Sequence, residues 1–348
     1  MTEKVSVKLS YLQFLCSLAI IGLHTVFAKH FSASASWALQ LNNGFRTLFD
    51  AATSTFFFLS AMLFYRKADA KAYVPTLLAR MRTLVIPYLF WSAAVLVHQQ
   101  LRAYLINGFF PQLPLLDILR LWLWEPANGV LWFVQVLLGY VLVFPLIRWG
   151  VRRKWPAIVA GLASLLLRYS GWVPVPYASM LFWLPCYLTG AYLGYHAGER
   201  MFTVPFVRRR WHYGVAALLF AGLFGLARAF DSLYYLYWQF TPLLVWVLAD
   251  PLAALPRPAW WVNASFYLFC SHLLFEHYAV RLYQAVFGLG NISFALANVL
   301  LPLLCAALAL LCAAVARKVA PSLYRWVTGG RDGKHISAPT PAAAHTKP

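Results

Sequence analysis

The chain has 348 residues, 62% of them hydrophobic and only 11% charged, with a mean hydropathy of +0.65. Soluble globules carry about 25% charged residues, so the composition excludes one. A net charge of +19 would suit a nucleic-acid binder, but the Lys and Arg fall mostly in short loops between apolar runs, which is how a polytopic membrane protein fixes its topology; the bilayer is the expected partner and nucleic acid is not.

The first apolar run, residues 9–27, is long enough to span: at about 1.5 Å per residue, roughly 19 residues cover the ~30 Å hydrocarbon core. It passes straight into Ala28-Lys29-His30-Phe31 without the small-residue cleavage site of a signal peptide, so it is read as retained. Gln13 lies early in this run and His24 near its far end. An ionisable ring at that depth points to function; the competing reading is a helix-end imidazole reaching the interface.

Further spans are expected at residues 45–65, 83–104, 129–148, 155–168, 178–196, 213–230, 233–249, 260–280 and 292–315, with 105–128 as the longest non-spanning segment. The fold class is therefore all-α, a polytopic membrane bundle of about ten helices. Ten crossings put both termini on one side. Lys29, Arg46, Arg102, Arg120, Arg168, Arg228 and Arg281 fall on the opposite side, leaving the larger share of the 29 Lys and Arg with the termini, so both termini are read as cytoplasmic. Residues 1–316 form one membrane domain, and 317–348 a basic segment ending in a disordered tail.

Few groups in the apolar runs can do chemistry. His272 and Glu276 are four apart and share a helical face, whereas His277 is turned from His272 by about 140°. The pair reads either as an oriented imidazole in a cavity or as polar glue between helices. No close-spaced ligand motif is present, so no metal is expected. The five cysteines sit in apolar runs as small core residues, and no Gly-x-Ser-x-Gly elbow supports a serine hydrolase. Arg80 and Arg82, at the entry to the third helix, serve topology, and a phosphate-bearing cofactor arriving from the cytoplasm would also need cations there.

Several separated motifs occur in order: Gln13 to His24, FFFLSAMLF (56–64), ARMRTLVIPYLFWS (79–92), LWFVQVLLGYVLVFPL (131–146), LPCYLTGAYLGY (184–195) and SFYLFCSHLLF (265–275). Together they resemble the transmembrane acyltransferase-3 family over nearly the whole chain. The resemblance implies a ten-helix O-acyltransferase of the bacterial inner membrane. It would move an acyl group, acetyl foremost, from cytoplasmic acyl-CoA to a hydroxyl of an envelope glycan or glycolipid. The family's first-helix pattern is an Arg, ten residues, then His: His24 matches and Gln13 stands in for the Arg. Of the paired arginines before the third helix's proline, Arg80 matches, Thr83 replaces the second and Arg82 is displaced by one. His272 matches the penultimate-helix histidine. The implied roles are His24 as catalytic base, His272 orienting the acceptor or stabilising charge with Glu276 fixing it, and Arg80, Arg82 and Gln13 holding acyl-CoA. The alternatives are a polytopic transporter or flippase without covalent chemistry, and an inactive sensor or scaffold, which Gln13 suggests.

Overall fold

Backbone polar groups in a bilayer are satisfied most simply by helical hydrogen bonds, and this chain uses them throughout. The computed structural model describes residues 2–330 except 33 and 208, with backbone alone at 198 and 199, and contains no strand among them. The helices are α1 (Glu3–Thr25), α2 (Ser36–Tyr65), α3 (Tyr73–Asn107), α4 (Leu115–Leu123), α5 (Gly129–Leu142), α6 (Phe144–Arg153), α7 (Trp155–Ser170), α8 (Met180–Tyr192), α9 (Trp211–Ala229), α10 (Tyr234–Leu248), α11 (Ser265–Phe287), α12 (Asn291–Val319) and α13 (Pro321–Val327).

Each of the ten expected intervals contains a helix. Of these, α1, α2, α3, α9 and α12 are individually long and apolar enough to cross a membrane, and α5 with α6, bent by 69° at Val143, would make a sixth. Length and apolarity alone therefore account for five or six of the ten expected crossings among the described residues. Pro145 explains the bend, since it lacks the N–H that would bond the Val141 carbonyl.

Two boundaries differ from the sequence reading for physical reasons. Helix α2 begins at Ser36 rather than at residue 45, because Asn42 donates to Asn298 Oδ1 of α12 at 2.7 Å and this partner overrides the turn propensity of Asn42-Asn43-Gly44. Helix α1 begins at Glu3, where Thr2 accepts from the Val5 N–H. Lys8, just before the run expected at residues 9–27, is thus inside a helix and fully buried: its Nζ lies 2.6 Å from Asp250 Oδ1 and 3.5 Å over the Trp246 ring.

The core is organised around α1, which packs against α2, α11 and α12. Helices α1 and α11 run side by side in the same direction. Ser10 donates to Asn263 Oδ1 at 2.9 Å, Ser17 to the Ser265 carbonyl at 3.0 Å, and Gln284 to the His30 carbonyl at 2.5 Å. This alignment brings His24 and His272 to one level. On the other side α2 meets α8 at Gly190 and the π-helical turn after α8 at Gly194, where any Cβ would overlap the Phe58 and Met62 carbonyls; small residues at this spacing permit such close approach. Helix α3 carries a π-helical turn over Met81–Val85, next to Pro87, which offers no N–H to the Thr83 carbonyl. Gly329 (φ +61) packs against that carbonyl where no Cβ would fit, and Trp91 donates to the Val327 carbonyl at 2.9 Å, so α13 docks on α3. Residues 331–348, most of the tail expected to be disordered, lie outside the described residues.

Candidate active site

One cavity of about 200 Å³ opens beside the first half of α1. Gln13, Ser60, Arg80, Tyr187 and Ser265 supply its polar lining, and Leu84 from the π-helical turn and the phenyl rings of Phe133 and Phe269 much of its apolar lining. Arg80 is half-buried, with its guanidinium 5.0 Å over the Phe64 ring. Lys71 Nζ donates to the Phe64 carbonyl at the end of α2 and lies 4.3 Å over the same ring. The structure therefore joins Gln13 and Arg80 in one cavity. Arg82 is exposed and does not line it. A π-helical turn redirects successive side chains by a different angle from an α-helix, and such turns occur frequently at functional sites.

A second cavity of about 210 Å³ lies further along α1, lined by His24, Phe27, Arg46, Asp50, Thr53 and Tyr177 among others. Arg46 Nη1 donates to the Leu23 carbonyl at 3.0 Å, satisfying one of the bare carbonyls at the end of α1. One turn on, Asp50 Oδ2 accepts from the Tyr234 hydroxyl at 2.6 Å. His24 thus shares its cavity with a guanidinium and a carboxylate held by α2. Sequence reasoning missed both; the available signal was an ionisable pair four residues apart within an apolar run.

His272 stands behind His24, with ring centroids 5.4 Å apart and planes at 45°. It is fully buried, and its Nδ1 lies 2.8 Å from the Phe269 carbonyl and 3.1 Å from that of Leu268. Carbonyls only accept, so Nδ1 carries the proton, and in the neutral ring Nε2 bears a lone pair. That Nε2 is buried without a hydrogen-bond partner. Unpaired buried polar atoms are few in native proteins, and this one faces no competing donor.

Glu276 is placed elsewhere. It lines a third basin, of about 620 Å³, together with His277, and His272 is not part of that lining. The structure therefore brings His24 and His272 together but sets Glu276 apart from them. One turn of helix separates 272 from 276, and of the two only Glu276 lines the basin. His30, beyond the end of α1, also borders the basin, and burial lowers its imidazole pKa below the ordinary value.

The Arg80 and His24 cavities share two wall residues, Phe133 and Phe269. Phe56 completes the partition, at 6.1 Å from Phe133 and 6.2 Å from Phe269, which are themselves 5.5 Å apart. Three aromatic side chains therefore separate a compartment holding Arg80 and Gln13 from one holding His24. Among the described residues, no three His, Cys, Asp or Glu side chains converge as a metal-binding group.

A family model described as an acyltransferase domain matches residues 7–318. Neither the curated proteins nor the solved structures give a match.

Proposed function

This chain belongs to the acyltransferase-3 family, and on that premise we propose that it moves an acyl group, acetyl foremost, from cytoplasmic acyl-CoA to a hydroxyl of an envelope or exported glycan. The observation that supports this most strongly is the pair of cavities meeting at Phe133 and Phe269. A donor entering from one side and an acceptor from the other need two such compartments with one thin boundary. In this reading both termini are cytoplasmic, in a bacterial inner membrane, so the Arg80 cavity faces inward and the His24 cavity outward.

Arg80 meets the donor's phosphates by charge-assisted hydrogen bonds, with Gln13 supplying a neutral amide where the family pattern has an arginine. Arg82 stays at the rim as a topology cation. The thioester reaches the aromatic boundary, and the acceptor hydroxyl lies against His24. A ring nitrogen of His24 takes the hydroxyl proton as the oxygen bonds to the thioester carbonyl carbon. The tetrahedral intermediate then collapses, breaking the carbon–sulfur bond and releasing the CoA thiolate, which takes up a proton. His272 contributes an acceptor, Nε2, for the N–H on the other side of His24, which fixes that ring's tautomer and stabilises it when protonated. This refines the expected role of His272: it acts on His24 rather than on the acceptor, and Glu276 is not its support.

The test is transfer itself. Purified protein in nanodiscs, given acetyl-CoA labelled in the acetyl group and envelope glycan from cells lacking the protein, should place label on the glycan. Unlabelled glycan with intact donor, alongside glycan movement across the bilayer, would identify a transporter instead. Orientation is read separately: an impermeant thiol reagent added outside should modify Leu115→Cys and spare Lys67→Cys, and the reverse pattern would overturn the topology.

A further inference from the structure

Cations are scarce on the outer side of a bacterial inner-membrane protein, so those present carry information. Seven Lys and Arg fall there in the topology above, and three of them, Lys29, Arg102 and Arg281, line one basin around Glu276. They come from three different elements: the turn after α1, α3 and α11. Gln99 and Gln284 line the same basin. No ion pair within 4 Å among the described residues engages any of the three cations or Glu276. Arg102 gives one guanidinium nitrogen to His277 Nδ1 at 3.3 Å, while its buried Nε has no partner. One carboxylate facing three fixed cations leaves a net positive, roomy basin with unused donors.

The basin also abuts the His24 cavity. Phe27 lines that cavity, and its ring lies 5.1 Å from Lys29 Nζ and 5.7 Å from the His30 ring, both of which line the basin. One aromatic side chain thus separates the His24 compartment from the basin. We infer that the acceptor carries an anionic group, a carboxylate or phosphate near the hydroxyl that is acylated, and that Lys29, Arg102 and Arg281 hold this group while the hydroxyl reaches past Phe27 to His24. Glu276 and the two Gln side chains accept and donate hydrogen bonds to neighbouring sugar hydroxyls. This inference rests on the acyl-transfer reading for what happens next, but the binding it claims does not.

The test uses protein in zwitterionic phosphatidylcholine nanodiscs and no donor, with glucuronate, glucose and inorganic phosphate as probes followed by saturation-transfer NMR and titration. Glucuronate should bind, glucose at the same concentration should not, and inorganic phosphate should displace glucuronate. Arg102→Gln and, on another helix, Arg281→Gln should each weaken glucuronate by about ten- to a hundredfold, the worth of a charge-assisted hydrogen bond. Arg228→Gln, an exposed outer cation away from the basin, should leave binding unchanged, and melting temperatures should confirm that each variant is folded. Equal binding of glucose and glucuronate, no binding of either anion, or unchanged affinity in both basin variants would overturn the inference. So would loss of glucuronate binding when phosphatidylglycerol is added to the nanodiscs, because the basin would then be a lipid-headgroup site. A failure here leaves glycan labelling to decide acyl transfer, and a failure of labelling leaves the binding result standing.

Discussion

His272, whose ring lies 5.4 Å from that of His24, keeps a lone pair on a buried, unpartnered Nε2, because its other ring nitrogen is tied to the Phe269 carbonyl at 2.8 Å. The helix that carries His272 therefore sets its tautomer before any substrate arrives. His24 has the opposite character: it lines a cavity and is free to meet a ligand.

In the proposed mechanism the role of His272 is one of positioning. His272→Gln should lower kcat by roughly tenfold or more, the worth of one hydrogen bond, and leave the donor KM unchanged. A shift in the pH profile of kcat should accompany the loss, because the variant changes what stabilises protonated His24. Unaltered kcat and pH profile in a folded variant would confine His272 to helix packing.

Arg80 and Arg82 should separate cleanly. Arg80→Ala removes a half-buried guanidinium from the inner cavity and should weaken acyl-CoA binding by roughly ten- to a hundredfold. Arg82→Ala alters an exposed side chain outside that cavity and should change affinity by less than about threefold. Isothermal titration with acyl-CoA measures both, and equal losses would mean that the donor lies across the rim rather than in the cavity.

A structural prediction concerns the buried pair Lys8 and Asp250. Asp250 also accepts from the Phe206 N–H at 2.6 Å and the Tyr213 hydroxyl at 2.7 Å, tying α1 to the segments around α9 and α10. Asp250→Ala would leave a buried ammonium unpaired, at a cost of about 3–5 kcal/mol. The melting temperature in detergent should fall markedly, while Asp250→Ala combined with Lys8→Met should recover much of the loss. No change in the single variant would show that water reaches Lys8.

Much of the architecture is legible in the sequence because long apolar runs admit little besides helices. The side-by-side course of α1 and α11, both legible as apolar runs, puts the rings of His24 and His272 at one level. What sequence did not reveal depends on tertiary partners. Asn42 looks like a turn residue until Asn298 is seen opposite it. Glu276 looks like a partner of His272 because helical spacing says which residues share a face but not where a cavity wall falls between them. Asp50 and Arg46 lay inside one apolar run, and only the packing of α2 against the end of α1 turns them toward His24. The gathering of Lys29, Arg102 and Arg281 joins segments far apart in the chain, which no local pattern encodes.

The central claim is that His24 removes the acceptor's proton, and the rate of acyl transfer by His24→Ala protein tests it most directly. General-base assistance is typically worth about 10² to 10⁴ in rate, so transfer from saturating acetyl-CoA to glycan should fall by that order while acyl-CoA affinity and melting temperature match the parent. Transfer within about threefold of the parent would contradict the account, since so small a change lies far below the contribution of a catalytic base.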